Sequence, residues 1–549
     1  MEETDQFNDE AEAAGEIVPV VSEFCPAGKN GAGDVKPLVP TFINPLDETD
    51  PFPNIGFAVF DDTETGIRLD FKEHIAAKAL NQSDGFGTFA PFIISFSGEI
   101  DADSLPATPE ESVKFGSPVF LIRTDKPFPE KPDIEFFKSI AVPIETFFNK
   151  EDGFLVAYPL VPLDEKSRYA LVVTRCVTAQ GKEILQADAM SEIGELTGVA
   201  EAEMERILNV ITRPDFNLPL ERTALILPVV TRSVTSQLKK VRENTLNGPV
   251  QEAMIDHVLK GTDETGSLNP EFFDIYPGLK ELFEENIGSL PDYDFTGIDV
   301  VVIGRFKSGI YFSPDYGFLG GNEGTMYSGV EEIKFFMMLP TENPQKGIVR
   351  PFPVVVFQHP FSVCKEVMIA LAATFQKFGL AVIGIDAFLH GDRAKSGKWE
   401  CPIDPMDFMD VSAPEKMSAN FMGSLSDIIQ FGIFVKKLDI DYLPYPDGDG
   451  ANDIDTSSLG LLGMSMGANM TAAVAGVSEE FENVVINVGG AGVSFLFGAG
   501  FLGLNQGVDE NDFSWKDFSR FSLSIMAPLQ VVLEPPDPVN YAGGYFSGG

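Results

Sequence analysis

The segment LGLLGMSMGANMTAAVAG, residues 459 to 476, constrains the fold of this chain more than any other stretch. It places Gly-Met-Ser-Met-Gly, centred on Ser465, between an apolar run and an alanine-rich run typical of a helix. A strand, a sharp turn and a helix in this order form a nucleophile elbow, which exposes the serine hydroxyl at the end of the strand. Gly463 and Gly467 suit this turn because Cβ atoms there would crowd its strained backbone. The segment therefore predicts that Ser465 is a nucleophile.

The second half of the chain predicts an α/β fold around this serine. Short apolar runs alternate with segments of helical pattern, which indicates a doubly wound, parallel sheet. The predicted strands from residue 353 onward are 353–358, 380–386, 459–464, 482–488 and 528–533. Ligands of such sheets bind at the carboxyl ends of the strands. Ser465 lies at one of these ends.

The first half of the chain has different patterns, which predict four regions in all. The acidic residues 1–36 predict a disordered tail. Short β-branched and aromatic runs separated by turn residues predict an all-β, immunoglobulin-like sandwich over 37–185. Residues 186–290 are expected to form a mostly helical connecting segment with one strand-like insert, TALILPVV (223–230), and 291–549 the α/β catalytic domain.

Composition excludes several classes of partner. The formal net charge of −44 argues against nucleic-acid binding, which needs clustered Lys and Arg. The four cysteines and four histidines show no zinc-binding spacing, so we expect neither a metal nor a cofactor. Cys364 and Cys401 are expected on neighbouring loops, either as a disulfide or as buried thiols.

The sequence FQHPF, residues 357–361, follows the predicted strand 353–358. In α/β-hydrolases the loop at this position donates a backbone N–H to the oxyanion of the reaction, and the residue after the nucleophile donates another. Pro360 has no N–H, so the expected donors are the amides of Phe361 and Met466.

A serine nucleophile needs an acid and a histidine base. Asp537, in LEPPDPVNYAGG, is the predicted acid, with Glu534 as the rival carboxylate. No histidine follows Ser465 in the sequence, although the chain order of this fold is serine, acid, histidine. The simplest expectation is a histidine beyond residue 549. The alternatives are that His359 or His390 substitutes, or that the protein is a catalytically inactive relative.

Several motifs resemble the bacterial virulence-factor lipases, which are extracellular or surface α/β-hydrolases, some of them lysophospholipases. The resemblance extends from about residue 40 to 542, and its most specific motifs are SFSGEIDADSLPAT and VLEPPDPVNYA, with VVVFQHPFSVCKE and GLLGMSMGANM between them. It implies Ser465 as nucleophile and Asp537 as acid. It also implies export, although the chain opens with no signal-peptide pattern. The family's usual His-Gly is His-Pro here.

Together these patterns predict a serine carboxylic-ester hydrolase that acts on lipid or other acyl esters. The resemblance implies an extracellular or cell-surface location and a peripheral contact with a membrane or cell surface. Two alternatives stay open. One is a hydrolase of polyester or peptide substrates, and the other is a non-catalytic surface-binding protein on a hydrolase scaffold.

Overall fold

The computed structural model of the chain describes most, but not all, of the sequence. The described residues are 24–25, 28, 30–39, 41–42, 51–72, 76–127, 134–213, 216–249, 252–284, 294–313, 317–318, 329–410, 412–493 and 520–546.

The amino-terminal half contains two principal antiparallel sheets. One has the strand order β11-β8-β4-β5 and the other β3-β7-β6. Small hairpins, β1-β2 and β9-β10, accompany them. The strands of this half are β1 (Ala58–Phe60), β2 (Ile67–Leu69), β3 (Phe92–Ser95), β4 (Val119–Arg123), β5 (Ala141–Val142), β6 (Ile144–Asn149), β7 (Phe154–Pro159), β8 (Arg168–Thr174), β9 (Thr178–Ala179), β10 (Lys182–Glu183) and β11 (Thr223–Val230).

The two principal sheets share one hydrophobic core. Ile94 and Leu155 of the three-stranded sheet pack with Leu121 and Leu171 of the four-stranded sheet. Burial of these aliphatic side chains supplies most of the favourable free energy of folding for this half. The immunoglobulin-like topology of the sandwich stays a prediction.

The predicted boundaries of the first regions differ from the observed pairing. Strand β11 coincides with the strand-like insert TALILPVV, and it pairs antiparallel with β8 of the preceding region. The eight residues of β11 are all buried, although β11 is the end strand of the four-stranded sheet. The tail predicted over 1–36 is also partly ordered, because Cys25 forms a disulfide with Cys176 and Phe24 is buried.

The carboxyl-terminal half is built on a seven-stranded sheet of order β12-β13-β16-β18-β17-β19-β20. Its strands, with the separate hairpin β14-β15, are β12 (Met254–Lys260), β13 (Ile298–Gly309), β14 (Phe312–Ser313), β15 (Gly317–Phe318), β16 (Val330–Pro340), β17 (Phe352–Gln358), β18 (Ala381–Ile385), β19 (Ile454–Met464) and β20 (Phe481–Asn487).

This sheet is mixed, whereas the sequence predicts a parallel one. Strands β18, β17, β19 and β20 form parallel ladders, but β12, β13, β16 and β18 pair antiparallel with one another in that order. The long strands β13 and β16 follow one another among the strands of this sheet and pair directly, which an antiparallel ladder permits without a crossover helix. The parallel half, which contains Ser465, agrees with the prediction.

Helices cover both faces of the seven-stranded sheet. Val300 and Val302 face one apolar core, while Val301 and Ile303 face the other, as the alternation along a strand requires. The α-helices are α1 (Ala77–Leu80), α2 (Pro109–Ser112), α3 (Ile134–Ile140), α4 (Gly198–Ile211), α5 (Ser236–Asn247), α6 (Glu271–Ile275), α7 (Leu279–Leu282), α8 (Ala372–Lys377), α9 (Pro405–Phe408), α10 (Pro414–Val435), α11 (Met466–Ala475) and α12 (Arg520–Leu533).

Residues 528–533, predicted as the last strand, belong to helix α12 instead. Val531 and Val532 favour a strand by local propensity and Pro528 disfavours a helix interior, but α12 packs against α10 and buries Val531 and Leu533. Tertiary packing therefore overrides the local preference. Asp537 consequently follows a helix, not a strand.

Strand β20 is the last strand of the sheet in the described part of the chain. It pairs only with β19, and Val485 and Ile486 are 54% and 46% exposed. The adjoining Val488 is 78% exposed. This side of the sheet therefore presents an open apolar edge.

Candidate active site

Ser465 lies at a sharp turn between strand β19 and helix α11. Its backbone has φ 54° and ψ −117°, a conformation that residues other than glycine rarely adopt. The Ser465 amide donates to the Asn487 carbonyl at 2.9 Å, and its own carbonyl accepts from Ala468 N at 2.9 Å. Such strain costs on the order of 1–3 kcal/mol and persists only where the surroundings impose it. The turn leaves Ser465 exposed at the sheet's edge, as a nucleophile elbow requires.

The glycines of the motif allow close backbone approach. A Cβ on Gly467 would lie 2.2 Å from the Gln358 carbonyl oxygen and 2.6 Å from that of His359. A Cβ on Gly463 would lie 2.1 Å from the Gly467 carbonyl oxygen. Both positions therefore need glycine for steric reasons. The contact of Gly467 also shows that the elbow packs directly on the loop that contains the His-Pro pair.

The predicted oxyanion donors lie at one edge of the sheet. Gln358 pairs in parallel register with Gly463, so Phe361 and Ser465 follow neighbouring strand ends. Met466 is the first residue of α11, and the first amides of a helix have no partner within it. Among the described residues, neither the Phe361 amide nor the Met466 amide donates a hydrogen bond. Both amides are therefore available for an oxygen of a substrate.

His359 and His390 are held as neutral rings by backbone groups. His359 Nδ1 donates to the Pro360 carbonyl at 2.7 Å, and its Nε2 accepts from Ala387 N at 3.0 Å. His390 Nδ1 donates to the Phe388 carbonyl at 2.7 Å, and its Nε2 accepts from Ser362 N at 3.2 Å.

Burial lowers the pKa of both rings, to about 3 for His390. Each nitrogen is occupied, so neither histidine can take a proton from Ser465. The alternative in which one of them is the base is wrong for this geometry.

The other two histidines provide no base in the described part of the chain. His257 is exposed on β12, and strands β13, β16, β18 and β17 separate it from β19. Neighbouring strands are about 4.8 Å apart, so this separation amounts to roughly 24 Å. His74 lies outside the described residues.

A buried charge cluster fixes the His-Pro loop to the loop after β18. The ammonium of Lys365 lies 2.7 Å from Glu366 Oε1, 2.7 Å from Asp386 Oδ2 and 2.6 Å from Asp392 Oδ2. The Lys365 amide also donates to Asp386 Oδ1 at 2.8 Å, and the Cys364–Cys401 disulfide lies beside it.

The charged forms of Lys365 and Asp386 are favoured in this cluster, whereas burial raises the pKa of Glu366. Burial lowers the pKa of Lys365, but the surrounding carboxylates outweigh burial and raise it well above its ordinary value. The carboxylate oxygens of Glu366, Asp386 and Asp392 lie within 4.8 Å of one another, as the ligands of a cation do. The Lys365 ammonium bonds all three, so it already provides the cation of this cluster.

The sequence analysis missed Lys365, Asp386 and Asp392. The only signal is their position, because Lys365 follows the His-Pro loop and the two aspartates follow β18. Strand ends of one parallel sheet meet at the same edge, so charged residues after two neighbouring strands are candidates for such a contact.

Asp537 is a structural anchor in this geometry. Its Oδ1 accepts from Gly492 N at 3.0 Å and Val539 N at 3.1 Å, and its Oδ2 accepts from Val493 N at 2.7 Å and Gln530 Nε2 at 3.3 Å. Burial raises the pKa of Asp537 above its ordinary value, although these four donors oppose the rise. A carboxylate offers about four acceptor positions, and four donors already use them.

The contacts around Asp537 do not join it directly to Ser465 among the described residues. The chain after β20 contacts Ser465 at Asn487, then Asn469 through Gly490 N, and reaches Asp537 at Gly492. This segment thus runs along α11, away from the serine. The role of Asp537 as the acid stays a prediction.

Glu534, the rival acid, joins the two halves of the molecule. Its carboxylate accepts from Thr88 N at 2.6 Å, Phe89 N at 2.7 Å and Thr88 Oγ1 at 3.1 Å. A Cβ on Gly87 would lie 2.5 Å from Glu534 Oε1. Glu534 therefore holds the amino-terminal half against the segment after α12.

Burial raises the pKa of Glu534 from its ordinary 4.5 to about 7, although the Thr88 and Phe89 amides oppose the rise. The folded state then binds this proton more tightly than the unfolded state, so the stability due to Glu534 falls as pH rises from about 5 to about 7. We expect the free energy of unfolding of the wild type to fall by roughly 2 kcal/mol relative to Glu534→Gln over this interval. Urea unfolding at pH 5 and pH 7.5 measures this difference. Glu479→Gln, at an 85% exposed side chain, is the control. Equal pH dependence of the wild type and Glu534→Gln would refute the assignment.

The apolar sequence segments 494–504 and 404–422 are candidates for loops that cover the site. Residues 494–504 lie outside the described residues. Residues 404–422 contain α9 and the first turns of α10, so they are largely helical. In the described ranges no helix has both the length and the apolar character needed to cross a membrane.

Comparisons with known proteins give weak matches, all of them to structures. No family model matches the chain, and no curated protein matches it. An acetyl xylan esterase from Thermoanaerobacterium shares 10% identity over 56% of this chain and 82% of its own, with a TM-score of 0.28. The cell wall degrading esterase LipA of Xanthomonas oryzae shares 13% identity over 47% of this chain and 56% of its own, with a TM-score of 0.25.

A thermostable carboxyl esterase from Bacillus coagulans shares 17% identity over 32% of this chain, with a TM-score of 0.20. The match covers 46% of that esterase, so this chain aligns with less than half of it. With TM-scores this low, the site's interpretation rests on its geometry alone.

Proposed function

We propose that the protein is a serine hydrolase of carboxylic esters, with Ser465 as its nucleophile. The observation that carries the proposal is the backbone of Ser465, at φ 54° and ψ −117° between a parallel strand and a helix. Strain of this kind at an exposed hydroxyl is typical of an activated serine at an elbow.

The geometry suits acyl transfer. Ser465 Oγ attacks the acyl carbonyl, and the carbonyl oxygen becomes an oxyanion. The amides of Phe361 and Met466 donate to this oxyanion, and each such donor lowers the barrier by about 3–4 kcal/mol. The alcohol leaves with the proton that Oγ lost, and water then hydrolyses the acyl-enzyme.

The remaining assignments stay predictions. They are Asp537 as the acid, a histidine beyond residue 549 as the base, and a lipid or other acyl ester as the substrate. Two disulfides, Cys25–Cys176 and Cys364–Cys401, are typical of proteins that fold in oxidising compartments. They support the proposal that this protein acts outside the cytoplasm, at or beyond the cell surface.

One observation favours a second candidate function. The described histidines cannot act as the base, so a non-catalytic binding protein on a hydrolase scaffold is the alternative. The proposals differ in whether the hydroxyl of Ser465 reacts.

A fluorophosphonate reagent tests the reactivity of Ser465. We expect slow covalent labelling of the wild type, accelerated by added imidazole, which can accept the proton that no described histidine accepts. Ser465→Ala should abolish the labelling, and mass spectrometry should map the adduct to this serine. Hydrolysis of short and long acyl esters, compared with peptide substrates, then defines the substrate class.

Ser457→Ala is the matched control, because Ser457 is an exposed serine of the same strand, β19. It should be labelled at the wild-type rate. Folded wild-type protein that shows no Ser465 adduct even with imidazole would exclude the enzyme and favour the binding protein.

A further inference from the structure

A second candidate ligand site lies at the junction of the two halves, apart from the elbow. It is a cavity of about 490 Å³ between the segment around Asn81, the start of α5, the first turns of α10 and the end of α12. This volume is within the range of small-molecule sites, about 300–1,000 Å³. None of its described lining residues belongs to β19, α11 or the His-Pro loop.

Four charged residues line this cavity, namely Arg68, Asp84, Arg232 and Glu415. Arg232 is the buried one of the four, with 8% of the residue exposed. Its Nη1 donates to the Val531 carbonyl at 2.5 Å, and its Nε donates weakly to the Ser233 carbonyl at 3.4 Å. No carboxylate oxygen of a described residue lies within ion-pair distance of the guanidinium. The guanidinium has five N–H donors, and carbonyls use only two of them.

Burial of such a charge without an ion pair is unusual and costly. Asp84 and Glu534 act on Arg232 only at longer range, and burial still lowers its pKa. The Asp84 carboxylate accepts from Ser233 N at 2.9 Å and Ser233 Oγ at 2.7 Å, and it faces the same cavity. The free donors of Arg232 therefore point to an anion as the missing partner.

The other walls restrict the kind of anion. The side chains of Gln237 and Ser418 line the cavity and make no hydrogen bond to another described residue, so both can bind hydroxyl groups. Phe312, Met422 and Val532 supply apolar surface. The carboxylates of Asp84 and Glu415, which line the cavity, repel a doubly charged phosphate more strongly than a singly charged carboxylate.

We propose that this cavity binds a small organic monocarboxylate that carries hydroxyl groups, of the size of a sugar acid. Arg232 binds the carboxylate through paired N–H donors, a geometry that guanidinium and carboxylate share. Asp84, Gln237 and Ser418 bind the hydroxyl groups. The site is independent of the chemistry at Ser465, so it binds its ligand in the Ser465→Ala variant as well.

Titration calorimetry with glucuronate, glucose, acetate and inorganic phosphate tests the proposal. We expect saturable binding of glucuronate by the full chain, weaker binding of acetate and none of glucose. Arg232→Met keeps most of the side-chain volume but removes the charge, and it should raise the Kd for glucuronate at least about tenfold. Arg242→Met removes an arginine paired with Glu480 outside the cavity and should leave binding unchanged.

Ala419→Phe provides a second variant that retains Arg232 and fills the cavity, in case Arg232→Met does not fold. Ala419 is buried on α10 and lines the cavity. The Ala419→Phe variant should not bind glucuronate, because the phenylalanine ring fills the cavity. Three results would each overturn the proposal: no saturable glucuronate binding by the wild type, wild-type affinity for glucuronate in both cavity variants, or phosphate binding as tight as glucuronate binding.

Discussion

Replacing Gly467 by alanine is expected to slow the labelling of Ser465 by roughly a hundredfold. The new Cβ would lie 2.2 Å from the Gln358 carbonyl oxygen, and this neighbour is backbone, which cannot rotate away. The elbow and the His-Pro loop must therefore separate, and a displacement of about 1 Å between reacting groups costs about 10²-fold in rate. Overpacking at such a contact also costs typically about 1–3 kcal/mol of stability.

Gly194→Ala is the control for Gly467→Ala. A Cβ on Gly194 would meet no atom within 4 Å, so this substitution should change neither labelling nor stability. The rate of fluorophosphonate labelling and the urea midpoint measure the two effects. Wild-type labelling by Gly467→Ala would show that the elbow and the His-Pro loop do not act together.

The second large effect is expected at Lys365. Lys365→Met leaves the buried carboxylates of Glu366, Asp386 and Asp392 without the ammonium that bonds them. Removing one partner from a buried charge cluster typically costs about 3–5 kcal/mol, because the remaining charges stay buried. We expect a loss of this size in the free energy of unfolding, measured by urea denaturation at pH 7.5.

Lys395→Met is the control, because it removes a lysine that is paired with a carboxylate but is not buried. Lys395 bonds Asp407 at 2.8 Å, a distance close to that of Lys365 from Asp386, but its side chain is 70% exposed. An exposed pair contributes about 0–1 kcal/mol. Similar losses in the two variants would contradict the view that the buried cluster holds the two loops together.

The elbow could be read from the sequence because its requirements are local. A strand, two glycines around a serine and a helix lie within 18 residues, and the structure places Ser465 at the turn between them. The parallel strands beside it were also predictable, because continuously apolar runs are typical of strands that are covered on both faces.

Other elements of the fold depend on residues that are distant from them in the sequence. Strand β11 joins a sheet formed by residues before it, and residues 528–533 become helical because they pack on α10. Local propensity contains neither partner. The pattern TALILPVV therefore indicated a strand but not its place in the first sheet, and the predicted strand over 528–533 was wrong.

The same dependence on distant residues explains why the hydrogen-bond partners of the charged and polar groups could not be predicted. Both ring nitrogens of His359 and His390 bind backbone groups, one of which lies about 30 residues away in each case, and Lys365 meets Asp386 and Asp392 across two loops. The sequence by itself determined where a reactive serine is placed. Only the tertiary structure decided which ionisable side chains are committed to holding its surroundings, because hydrogen-bond partners and burial are properties of the folded chain.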